Sequence, residues 1–80
     1  MLFLIEYSRT RGKLVKMLQY SDDQRTIAEN RRLELELDLN RRKIDHEIVV
    51  LEAASEEALH KTHRRYFEDS AQIAAFFETQ

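Results

Sequence analysis

The chain has 80 residues, of which 42% are hydrophobic and 35% charged, with a formal net charge of −2. That is too apolar for disorder, too charged for a membrane protein, and too near neutral for a global field that attracts nucleic acid or acidic lipid. With no cysteine there is no disulfide framework and no thiolate metal site; with Gly12 the single glycine and no proline, few sharp turns are encoded.

A chain of this length is expected to form one small domain over residues 1–80. The opening "MLFLIEYSR" carries no basic leader, and Glu6 interrupts its apolar run, so it suits neither a signal peptide nor a membrane span. A cytoplasmic protein is the expectation. Residues 2–8, "LFLIEYS", read as a strand that is apolar on both faces. A four-residue loop, Arg9 to Gly12, then leads into "KLVKMLQY", residues 13–20. Strict alternation places Leu14, Leu18 and Tyr20 on one face of that segment and Val15 and Met17 on the other. Together these residues predict a β-hairpin over 2–20.

Ser21 opens "SDDQ", a capping-box pattern, with Asp22 and Asp23 where a helix dipole favours negative charge. The next stretch contains "LELELDL", which alternates like a strand but is built of helix formers. Arg32 with Glu36, and Asp38 with Arg42, stand four apart as helical ion pairs do. Arg41, Arg42 and Lys43 close the segment with the charge a helix C-terminus prefers. A helix from Asp22 to about Arg42 follows. On a wheel its leucines divide into two nearly opposite stripes: Leu33 and Leu37 with Thr26 and Ile44, and Ala28, Leu35 and Leu39.

"HEIVVLEA" predicts a strand centred on Ile48, Val49, Val50 and Leu51, apolar on both faces as interior strands are. Ser55 is placed to cap a second helix with Glu56 and Glu57 in its first turn. Leu59, Thr62, Tyr66, Ser70, Ile73 and Phe77 form one stripe to about Glu78. The order β-β-α-β-α predicts an α+β fold, a three-stranded mixed sheet packed with two helices. The third strand is expected parallel to the second, with the first between them.

A helix on a small sheet needs only one apolar stripe, so the second requires a cover. Either the second helix supplies it, or a second copy of the chain does. The favoured expectation is a homodimer, with another protein as a further possible partner. The partner surface would be Ala28, Leu35 and Leu39, joined by Phe76 and Phe77.

Other chemistry has weaker signals. Glu56, His60 and His63 have spacings that can bind a divalent metal, but the fuller "HExxH" pattern is missing and His46 lies apart. A partly buried, hydrogen-bonded histidine is the expected reading, with no metal and no cofactor. His63, Arg65, Tyr66 and Phe67 could line a small-molecule pocket between helices and sheet. Arg9, Arg11, Lys13 and Lys16 on the hairpin could touch phosphates, although acidic residues outnumber basic ones 15 to 13 and nucleic acid is disfavoured. Ser21 and Ser55 are explained as caps, and one glycine permits no phosphate loop or "GxSxG" turn. The leading expectation is a non-catalytic protein that acts by association.

Overall fold

The computed structural model describes residues 1–68, so the expected positions of Ser70, Ile73, Phe76 and Phe77 lie outside the described residues. The elements are β1 (Leu2–Ser8), β2 (Lys13–Tyr20), α1 (Arg25–Arg41), β3 (His46–Glu52) and α2 (Glu56–Thr62), with single 3₁₀ turns at Asp22–Gln24 and Arg64–Tyr66. No helix among the described residues is long and apolar enough to cross a membrane.

All seven residues of β1 are buried, and that fixes the topology. A strand buried along its whole length belongs in the middle, and the sheet order is β2-β1-β3; β3, read as interior from its apolar run, is less buried and lies at an edge. β1 runs antiparallel to both neighbours. The outer strands therefore run the same way, as expected, but never touch. The sheet is antiparallel throughout rather than mixed, because the strand between them removes the only possible parallel ladder.

The hairpin turn closes through Gly12 N–H donating to Ser8 O at 2.8 Å, with Gly12 at φ 65°, where a glycine has no Cβ to clash. β2 departs from strict alternation. Glu6 pairs with Lys16 but Tyr7 with Leu14, so Val15 is an extra residue in a β-bulge. Leu14 accordingly joins Met17 on one face, while Leu18 and Tyr20 stay on the other, which corrects the expected partition of this strand.

One face of the sheet lies under α1, where Leu4, Ile48, Leu35 and Leu39 share a core. Helix entry follows the capping-box expectation, with Gln24 Oε1 accepting from Ser21 N–H at 2.9 Å. The exit is a Schellman motif. Lys43 adopts φ 57°, its N–H donates to Asn40 O at 3.1 Å, and Ile44 N–H donates to Leu39 O at 2.9 Å. Ile44 then packs on the Leu39 cluster. The ion pairs Arg32–Glu36 and Arg42–Asp38 form at 2.8 and 2.9 Å.

The opposite face carries Phe3, Ile5 and Tyr7 beneath Leu59 and Tyr66. Ser55 Oγ caps α2 by accepting from Ala58 N–H at 3.1 Å. The helix stops at Thr62, not near Glu78: Thr62 Oγ1 bonds back to Ala58 O at 3.0 Å, and His63 leaves helical geometry at φ −129° and ψ 52°.

Candidate functional site

The two stripes of α1 have distinct fates. Ala28, Leu35 and Leu39 are 0%, 9% and 3% exposed, so the face expected to meet a partner is the one that covers the chain's own sheet. Leu33 and Leu37 are 51% and 56% exposed; Ile27, about a quarter-turn further round the helix, is 55% exposed. Thr26, Asn30, Leu33 and Leu37 follow spacings of four, three and four, the period of a coiled-coil seam. Glu34 and Arg41 flank this seam on one edge and Glu29 and Asn40 on the other.

The residues expected to line a pocket between helices and sheet, His63, Arg65, Tyr66 and Phe67, make the following contacts. Arg65 and Tyr66 meet on Glu47, whose side chain is 14% exposed. One guanidinium nitrogen of Arg65 donates to both Glu47 oxygens at 2.8 Å, and the Tyr66 hydroxyl donates to the same carboxylate. Arg65 lies 4.3 Å over the Tyr66 ring, and Tyr7 meets Tyr66 edge-on at 5.3 Å. The Tyr66 hydroxyl, aided by Arg65, holds the Glu47 carboxyl below the usual carboxylate range. Burial, then the Glu47 carboxylate, pushes the Tyr66 phenol up. Phe67 stacks on His60 at 3.8 Å, and His63 turns its Nδ1 to Thr62 Oγ1 at 2.8 Å. This network is a clamp that ties the Arg64–Tyr66 turn to β3.

The metal-compatible spacing of Glu56, His60 and His63, weighed and disfavoured in the sequence, does not gather into one set. His60 reaches Glu56 at 3.6 Å, but the break after Thr62 carries His63 away, and no group of three His, Asp or Glu side chains converges among the described residues.

A further feature went unread in the sequence. A cleft of about 420 Å³ opens between the hairpin tip and the α1–β3 corner, lined by Ser8, Thr10, Arg11, Val15, Ile44, Asp45 and His46. Beneath it Glu6, 7% exposed on the central strand, accepts from His46 Nδ1 at 2.6 Å. Ser8 stands directly across from His46, but its hydroxyl accepts from Arg11 N–H at 3.3 Å and lies 3.4 Å from Thr10 Oγ1. No side-chain hydrogen bond joins Ser8 to His46 among the described residues, so the geometry is not that of an activated nucleophile.

Compared with protein-family models, with curated proteins and with solved structures, the chain shows no match.

Proposed function

We propose that this protein acts by self-association rather than catalysis, through the outward stripe of α1. The observation that carries this reading is the exposure of Ile27, Leu33 and Leu37 on a helix that already buries its opposite stripe. Paired large hydrophobic side chains on a solvent face are costly to leave wet, at about 25 cal/mol for each Å² of apolar area.

The occupant that fits is a second copy. Two such helices crossing at the centre of the seam place Leu33 of one copy against Leu37 of the other, an isologous contact. The edges carry both signs of charge, so like copies do not meet a single-sign field. Asn30 in the seam supplies a polar register mark of the kind coiled coils use.

Light scattering on concentrated wild-type protein and on the double variant Leu33→Glu, Leu37→Glu tests the reading. The wild type is expected at twice the chain mass, and the variant at one chain mass with an unchanged far-UV spectrum. A monomeric wild type, or a variant that still associates, overturns it.

A further inference from the structure

The cations of this protein are unevenly committed. Arg9, Arg25, Arg31, Arg32, Arg42, Lys61, Arg64 and Arg65 each have an acidic partner within 4 Å. Arg11, Lys13, Lys16, Arg41 and Lys43 have no ion-pair partner among the described residues. They are not scattered: the first three are on the hairpin, where Arg11 lines the cleft, and the last two precede Ile44, which lines its other side.

The bulge gathers the hairpin cations. Lys13 and Lys16 are three residues apart, and strict alternation would send them to opposite faces. The extra residue Val15 pairs Lys13 with Ser8 and Lys16 with Glu6, so both stand on the face of the cleft. Both acidic groups there are engaged, Asp45 by Arg9 at 3.5 Å and Glu6 by His46 at 2.6 Å.

We infer that this cleft binds a small molecule carrying a phosphate group. Arg11, in the lining, pairs with the phosphate, Lys13 and Lys16 on the same face of β2 add positive potential beside it, and the hydroxyls of Thr10 and Ser8 add short-range hydrogen bonds. The Glu6 carboxylate orients the His46 ring through Nδ1 and leaves Nε2 for the ligand. Val15 and Ile44 give the remainder of the molecule apolar walls. The volume, about 420 Å³, lies in the range of small-ligand sites rather than that of an extended strand.

The test is an NMR titration of the whole chain with adenosine monophosphate, then with inorganic phosphate as competitor, and separately with a short single-stranded RNA. The mononucleotide is expected to shift the amides of Ser8, Thr10, Arg11, Ile44 and His46, and phosphate to reverse those shifts. Arg11→Gln with Lys16→Gln, both at exposed positions, is expected to weaken binding about tenfold or more with the free spectrum otherwise retained. Lys61→Gln, far along the chain on α2, is the charge control and is expected to change nothing. No shifts at the cleft, equal binding by the Arg11/Lys16 variant, or binding of the RNA alone each overturns the inference.

Discussion

On one face of β1, Leu4 shares a core with Leu35 and Leu39 of α1, a helix of 17 residues. On the other face, Phe3, Ile5 and Tyr7 lie under Leu59 and Tyr66, which belong to a seven-residue helix and one 3₁₀ turn. The long cover holds by apolar area, each fully buried leucine contributing about 1.5 to 3 kcal/mol. A short cover has little helical cooperativity of its own, even with Leu59 and Tyr66 buried. It is fastened by polar geometry instead, with Glu47 accepting from Arg65, Tyr66 and Arg9 at once. The comparison teaches that where a helix is too short to hold itself, a shielded carboxylate can fasten the segment by converging charged hydrogen bonds.

Three substitutions press on that contrast. Leu39→Glu is expected to unfold the chain, because a buried unpaired carboxylate costs several kcal/mol against a total domain stability of about 5 to 15 kcal/mol; loss of the far-UV helical signal is the readout. A folded Leu39→Glu monomer would mean that α1 is not the chief cover.

Tyr66→Phe keeps the ring and removes one donor to Glu47, with an expected loss of about 1.5 to 3 kcal/mol in urea unfolding. It also changes the response to acid. Because the folded-state pKa of Glu47 is depressed, its stabilisation is complete above the ordinary glutamate range and is lost as pH falls through the lower folded value. In the wild type, acid unfolding should therefore show a component below the ordinary glutamate range, and Tyr66→Phe should move that component upward. An unchanged acid midpoint would count against the clamp.

Arg65→Lys keeps the charge but gives up the planar stacking over Tyr66, and Arg65 is more than half exposed. The expected loss is about 0.5 to 1 kcal/mol in the same urea experiment. A loss as large as that of Tyr66→Phe would place the clamp's strength in the guanidinium rather than in the phenol.

Much of the fold was legible from residue types. The hairpin, both caps and the two ion pairs of α1 followed from propensity and spacing, and the place of β1 between the other strands from the crossover rule; two-sided apolarity misled at β3, which is an edge strand. "LELELDL" is helical, with its leucines on two sides, as the wheel requires. The assignment of those sides was not legible, because a wheel weighs two equal stripes and cannot see the sheet. Extending the wheel past Arg42 added Ile44 to Leu33 and Leu37. The left-handed residue Lys43 breaks the helical period and delivers Ile44 to Leu39 instead. Ala28 held a clue, since a small side chain on one stripe lets a helix sit close to strands. The cleft was hidden for a similar reason: one inserted residue, Val15, reverses the facing of all that precedes it on β2, and period-two reading assumes no insertion. The Glu47 clamp joins residues 18 and 19 apart, a distance at which no local pattern operates.

The same insertion at Val15 has a consequence for how the molecule meets its own kind. β2 lies at the rim of the sheet, where free amides and carbonyls invite a foreign strand to dock. A kinked rim studded with lysines is a poor template, since an incoming strand would need a matching irregularity and would face unneutralised ammonium groups. Growth by strand addition is discouraged on that side of the sheet, so of its two edges β3 is the one left without this protection.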